Sequence, residues 1–538
     1  MFAAVPHRLT SEFQLLALPD PCLMAVIHWC AAKIWPDGVI DLYYDLHSLF
    51  AVAKCHSRLH QAAVLALRSI KASISTHVYT SVQQRTDSLL LYLARHGRHV
   101  DSLDLSGGSA NFPGNFPQGL QLTSLLLDGF YLQLLPAVGQ QGLLAQFGAA
   151  TLRQVQLADC KLLDGPDGLA AALAQLPVLE HLSVRDTNCM QVDGNKCSWF
   201  ATDELSVLQR LTYLELASSM WYGRDKLLLQ PLQALTGLVE LHLKAAWGAD
   251  DISASMLLGM HNLTRLELPA CSCEPDALGA LTKLQHLVLF KSAALGEAGE
   301  VQLLSQLQYL QQLTYLQLWG QQRLKEQGDL HAAVYSNLTA SNKLCHLGIS
   351  GCTLPVGVWQ HVFPLGRQLL CLTSLDVYSG ELSGVSAPEG SRLVTCCPGL
   401  QRLDAACLQC TAELLCPLQG LSGLRTLLLG HSEWRLADNR RSAINLKPQG
   451  ENGQPSKEVT ALCQLTGLRE LSLLCWHKMS SQELLQLSKL KQLTSLKCVH
   501  KEYANDKWRD WPVGHFLSYG GKLLELIGSE VGSRLKHV

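Results

Sequence analysis

Long apolar runs are absent from this 538-residue chain. No stretch reaches 18 consecutive apolar residues, which argues against a transmembrane helix. The opening residues, Met1 to Arg8, lack the charged-then-apolar layout of a secretory signal. An excess of either charge is missing too. Lys and Arg number 43 against 45 Asp and Glu, a net charge of −2, and no dense basic block occurs. Neither nucleic acid nor an anionic membrane is therefore the expected partner. Catalytic motifs are also lacking. There is no Gly-x-x-x-x-Gly-Lys-Ser/Thr phosphate loop and no His-Glu-x-x-His. Gly430-His-Ser432-Glu-Trp434 approaches a serine-hydrolase elbow, but Trp434 stands where the sharp turn needs a closing glycine. The expectation is a protein without catalysis, cofactor or metal.

What the chain does have is a repeat. The pattern Leu-x-x-Leu-x-Leu recurs about every 28 residues from near position 100 almost to the C-terminus. Its first place falls at Val100, Leu122, Leu152, Leu179, Leu211, Leu238, Leu263, Leu284, Leu313, Leu344, Leu372, Leu400, Leu424, Leu468 and Leu493, with a degenerate copy at Leu523. Alternation at the later leucines predicts a short strand with one buried face. Leucines at helical spacing precede several strands, as in Leu169–Leu176 and Leu303–Leu310. One such unit cannot hide its apolar face alone, so neighbours must cover it.

These copies resemble the leucine-rich repeat family. The fuller pattern, with Asn or Cys at the ninth place, is met from Leu152 through Cys160 to Leu162 and from Leu344 through Cys352 to Leu354. The resemblance implies an α/β solenoid of about 16 repeats over residues 100–538. It also implies a parallel sheet on the concave side, helices outside, and binding as the default role. A polar, Gly- and Pro-containing stretch at 437–458 interrupts the period and is read as a flexible insertion.

Nineteen cysteines invite a disulfide reading, but their positions argue otherwise. Cys160, Cys271 and Cys352 occupy the ninth repeat place, where a small buried side chain meets loop backbone. Cys189, Cys273 and Cys410 stand at a core leucine place. Reduced thiols and a cytoplasmic or nuclear setting follow. Cys407-Leu-Gln-Cys410, with Cys396, Cys397 and Cys416 nearby, offers at most half of a zinc motif. Asn262-Leu-Thr and Asn337-Leu-Thr are formal glycosylation sequons read as incidental.

The first 75 residues break the repeat and carry two helical stripes. Pro19 and Pro21 suit the start of a first helix, where Leu23, Ile27 and the preceding Leu18 share one face; Leu46, Leu49, Phe50 and Ala53 form the second stripe. The segment resembles the F-box, with Leu18-Pro19, Asp45-Leu46 and Val52-Ala53-Lys54-Cys55-His56 as counterparts of its motifs. His56 stands where that family usually has Trp, and the interval Trp29–Tyr44 is longer than usual. The resemblance implies that Leu18, Pro19, Leu23, Ile27, Leu49 and Val52 contact a Skp-type adaptor of a cullin–RING ubiquitin ligase, leaving the solenoid to hold a substrate. The other reading is a helical cap on the first repeat. Residues 76–99 are assigned to a capping helix and linker.

The third, fifth and seventh repeat places face the concave side. Early copies place small polar groups there and middle copies place mixed charges, among them Arg185, Glu215, Glu240, Lys244, Arg265 and Glu267. Later copies place His286, Val288, Phe290, Tyr315, Gln317, Trp319, His346, Asp376 and Tyr378. Aromatic residues bury large area at low entropic cost. The expected contact surface for a protein target is therefore His286, Phe290, Tyr315, Trp319, His346 and Tyr378. The leading function is substrate recognition in a cullin–RING ligase. The alternative is a non-enzymatic scaffold, cytoskeletal or ciliary.

Overall fold

A computed structural model describes residues 69–73, 82–112, 116–135, 142–189, 202–218, 230–245, 257–269, 275–290, 297–320, 332–350, 357–378, 387–405, 412–430, 457–474 and 486–499. The F-box-like motifs, the copy at Leu523 and all but the last two residues of the 437–458 insertion lie outside these. The chain divides into two compact units, Met1–Leu263 and Thr264–Val538.

The first unit carries β1 (Ser69–Ser73), β2 (Ser102–Asn111), β3 (Ser124–Leu132), β4 (Gln154–Ala158), β5 (Lys161–Leu162), β6 (His181–Arg185), β7 (Asn188–Cys189), β8 (Tyr213–Ser218) and β9 (Glu240–Ala245). Its main row runs β1-β2-β3-β4-β6-β8-β9, every pair parallel. A second short row, β3-β5-β7, pairs Tyr131–Leu132, Lys161–Leu162 and Asn188–Cys189. The second unit carries β10 (Arg265–Pro269), β11 (His286–Phe290), β12 (Tyr315–Trp319), β13 (His346–Ser350), β14 (Ser374–Tyr378), β15 (Arg402–Ala405), β16 (Thr426–Gly430), β17 (Glu470–Leu474) and β18 (Ser495–Val499). These pair parallel in chain order.

Both units are leucine-rich repeat solenoid, and the register follows the sequence pattern. Each assigned copy from Val100 to Leu493 opens a strand at its third place. The fourth-place residues align as Leu103, Leu125, Val155, Leu182, Leu214 and Leu241 in the first unit. In the second they align as Leu266, Leu287, Leu316, Leu347, Leu375, Leu403, Leu427, Leu471 and Leu496. All but the last are buried, together with the first-place residues from Val100 to Leu468, while Leu493 is only partly buried. A one-residue slip would turn every such leucine to the opposite face, so burial fixes the register.

Polar side chains stitch the repeats at strand entry. The Oγ1 of Thr123, Thr212, Thr314, Thr373 and Thr494 donates to the carbonyls of Asp101, Glu180, Gln285, Cys345 and Arg469 of the preceding copy, at 3.0 to 3.2 Å. At the ninth place the Cys160 thiol meets the Leu127 carbonyl at 3.4 Å, as its position predicts, and Thr187 reaches the Leu157 carbonyl at 3.3 Å. Cys271, Cys352, Cys273 and Cys410 lie outside the described residues, as does the side chain of Cys189.

Two details differ from the sequence pattern. The sheet begins one strand earlier, because β1 pairs with β2 as Ile70↔Leu103 and Ala72↔Leu105. The return segments are also not all α-helical. Val82–His96, Gly165–Ala174, Glu297–Gln306 and Ala387–Cys396 are α-helices. Thr202–Val207, Gln230–Ala234 and Ala332–Thr339 are 3₁₀ turns. Pro231 removes a backbone donor within the second of these three turns.

Candidate functional site: a histidine–aromatic strand face

In-register parallel strands stack equivalent residues about 4.8 Å apart. Three columns therefore cross the face of β10–β15 that is opposite the leucines. The third-place column reads Arg265, His286, Tyr315, His346, Ser374, Arg402. The fifth-place column reads Glu267, Val288, Gln317, Gly348, Asp376, Asp404. The seventh-place column reads Pro269, Phe290, Trp319, Ser350, Tyr378.

The first column holds a continuous ring stack. His286 and Tyr315 lie 4.1 Å apart at 14°, and Tyr315 and His346 lie 4.1 Å apart at 6°. The rings approach more closely than the strands that carry them, so their packing contributes to their placement. Phe290 and Trp319 stack more loosely in the seventh-place column, at 6.3 Å and 19°. Trp319 keeps 46% of its surface open, while Val288 and Gln317 between the two ring columns are buried.

A hydrogen-bonded chain runs through the fifth-place column. Gln317 Nε2 donates to Ser350 Oγ at 3.0 Å, which leaves its Oε1 as acceptor for His346 Nε2 at 3.1 Å. The Gln317 amide lies across Gly348, where an added Cβ would come within 1.8 Å of Oε1. His346 Nε2 also stands 3.6 Å from Asp376 Oδ2. Burial, then the nearby Arg402 charge, lowers the His346 pKa to about 4, so the ring is neutral near pH 7. Burial raises the Asp376 pKa, against the pull of Arg402. Asp376 Oδ1 is buried without a hydrogen-bond partner among the described residues, with Arg402 Nε at 3.7 Å. The guanidinium is shared, since its NH2 lies 3.6 Å from Asp404. At the other end Glu267 stands 3.8 Å from His286.

The first unit uses its strand face differently. Glu215 is buried at the fifth place of β8, yet it is well supplied. Ser183 Oγ donates at 2.8 Å, Arg185 Nε at 2.9 Å and the Tyr213 hydroxyl at 3.2 Å, with Lys244 Nζ at 3.5 Å. Burial alone would raise its pKa, but these partners outweigh burial and lower it. His181 stacks on Tyr213 at 3.8 Å and 9°, and burial lowers the histidine pKa. The mixed charges seen here in the sequence thus satisfy one another.

The structure brings His286, Tyr315 and His346 into one stack and pairs Phe290 with Trp319. Tyr378 falls in register with Ser350, and its side chain lies outside what is described. The stack means that its rings partly cover one another: the side chains of His286 and His346 keep 21% and 16% of their surface. Gly348, Ser350 and Arg402 were missed as site residues. Glycine in the middle of a strand was the available signal, since it marks a close approach. The six adaptor residues Leu18, Pro19, Leu23, Ile27, Leu49 and Val52 lie outside the described residues.

Among the described residues, no group of three or more His, Cys, Asp or Glu side chains is placed to hold a metal. Cys396 and Cys397 are buried with raised thiol pKa values, the latter to about 12. Cys407 and Cys410 are outside the described set. No helix among the described residues is long and apolar enough to cross a membrane.

No family model matches the chain, and no curated protein matches it. Solved structures similar to it include an internalin from Listeria monocytogenes str. 4b F2365, at 17% identity and TM-score 0.41, covering 71% of this chain and 87% of that one. Another is TLR13 in a complex with ssRNA13, at 14% identity and TM-score 0.40, covering 80% of this chain and 54% of that one.

Proposed function

We propose that this chain is a non-enzymatic recognition protein that binds a protein target on the β11–β14 strand face. The observation that carries the reading is Trp319, 46% exposed and stacked beside Phe290 at the edge of an otherwise buried, hydrogen-bonded column. A large ring held open on a rigid sheet is a ready anchor, because little side-chain freedom is lost on binding. The test is quantitative affinity purification with the full chain, its Phe290→Ala/Trp319→Ala variant and, as a control at exposed surface charges, Arg153→Ala/Arg210→Ala. Partners depleted by the aromatic variant alone support the reading. Equal recovery with all three sinks it.

The finer role we propose is substrate recognition in a cullin–RING ubiquitin ligase, in the cytoplasm or nucleus. It is supported by the F-box-like residues Leu18-Pro19, Leu23, Ile27, Leu49 and Val52 ahead of the repeats. An amphipathic helix set docking by its apolar face is a physically sound adaptor contact. Full-length protein should co-purify with a recombinant Skp-type adaptor and lose it on Leu18→Ala/Pro19→Ala substitution. Absence of binding by the folded wild-type chain would favour a scaffold, cytoskeletal or ciliary, which the same repeats serve equally well.

A further inference from the structure

The two ring columns of β11–β13 border a groove. His286, Tyr315 and His346 form one ridge across the strands, and Phe290 with Trp319 forms the other. Third and seventh places are four residues apart, about 13 Å along a strand. The floor between them is low, because Val288 and Gln317 are buried and the Gln317 amide lies across Gly348. No third, fifth or seventh place of these three strands holds Lys, Arg, Asp or Glu. A charged partner group would meet no ammonium, guanidinium or carboxylate there, so its burial would go uncompensated.

Each ridge carries one free donor, and both donors are on β12. Among the described residues the Tyr315 hydroxyl has no hydrogen-bond partner, whereas Tyr213, at the same repeat place in the first unit, donates to Glu215. The Tyr315 oxygen is not sealed from solvent. The Trp319 indole N–H has no partner among the described residues either. Phe290 stacks on one side of Trp319; the next residue of the column, on β13, is the small, buried Ser350. One face of the indole is thus left open, and 46% of the residue is exposed.

These features select among extended, helical and polyproline segments. β11, β12 and β13 are each paired on both sides, so no free edge is offered to an added strand. An α-helix is about 10–12 Å wide and keeps most of its carbonyls for itself. Once the width of the rings is taken off, the groove is narrower than that. A polyproline II segment has no internal hydrogen bonds, so its carbonyls are free to accept. Its three residues per turn, at 3.1 Å each, bring every third residue to the same side about 9.3 Å further on. Two strand spacings come to about 9.6 Å. Such a segment crossing from β11 to β13 therefore stays in step with the sheet.

Resting on the recognition reading above, we propose that the β11–β13 groove binds a proline-rich segment in polyproline II form. It crosses the strands with one proline ring on the open face of Trp319 and a second proline three residues away. Its backbone carbonyls accept from the Tyr315 hydroxyl and the Trp319 indole N–H. The stiffness of such a segment keeps the entropy lost on docking small.

The test is a random dodecapeptide display library selected on the intact chain, followed by fluorescence anisotropy with the synthesised peptides. The expected result is enrichment of prolines three residues apart. Replacing either proline with alanine should weaken binding at least fivefold, a change that leaves the protein untouched. Trp319→Ala should weaken it at least tenfold. Tyr315→Phe, which keeps the ring and removes only the hydroxyl, should weaken it at least threefold, and Arg153→Ala in the other unit should leave it unchanged. Selected peptides without that proline spacing, peptides indifferent to Trp319→Ala and Tyr315→Phe, or no selected peptides would each overturn this inference. The recognition reading would still stand if the affinity purification above shows partners lost with Phe290→Ala/Trp319→Ala; equal recovery there would remove both.

Discussion

At the scale of single residues, His346 is the most constrained group on the strand face. Its ring stacks on Tyr315, donates to Gln317 and faces Asp376 and Arg402. Its folded pKa, about 4, lies below the ordinary value of 6.5. Between these two values the unfolded chain binds more protons than the folded one, so stability falls as pH drops from about 6.5 towards 4. Chemical denaturation at pH 7 and pH 5 should show this loss in the wild type and a smaller loss in His346→Gln. Equal losses would remove the argument. Gly348 gives a second test. Gly348→Ala should cost about 1–3 kcal/mol, because the new methyl displaces Gln317 and breaks its bonds to His346 and Ser350. Gln317→Ala in the same chain should remove part of that cost, a non-additivity measurable in a double-mutant cycle. Sequence alone placed these residues in neighbouring columns. It did not reveal the amide over the glycine, because repeat spacing sets where a side chain starts and not where it ends.

At the scale of elements, the strands were almost wholly legible and the return segments were not. Strand register follows from buried leucines alone, and fifteen copies from Val100 to Leu493 open strands where the pattern places them. β1 escaped because Ser-Ile-Lys-Ala-Ser has Ile70 and Ala72 in place of the leucine pair. Return segments obey a weaker rule, since the repeats, 21 to 32 residues long apart from the 44 between Leu424 and Leu468, leave different lengths for a helix. The leucine ladder implies that depth in the stack sets the cost of truncation. Leu316 is fully buried between neighbouring strands, so Leu316→Ala should cost about 2–5 kcal/mol by denaturant titration. Leu496, on β18, is only partly buried, and Leu496→Ala should cost clearly less. Similar costs would mean that burial does not grade along the stack.

At the scale of the molecule, the account rests on an asymmetry between two strand faces. In the Met1–Leu263 unit the charged residues spend their hydrogen-bonding capacity on one another around Glu215. In the Thr264–Val538 unit the same repeat places hold rings, a glycine and an under-supplied aspartate. The aromatic positions could be named from sequence because the register exposes every second residue of each strand. Their mutual stacking could not, and it narrows the open surface to Trp319 and its surroundings. The most direct measurement is site-specific photo-crosslinking of the intact chain in cells, with p-benzoylphenylalanine placed at Phe290, at Trp319 or, as a control on the other face, at Gln156. The account predicts protein adducts from Phe290 and Trp319 and few from Gln156. Adducts of equal yield at all three, or from Gln156 alone, would contradict it.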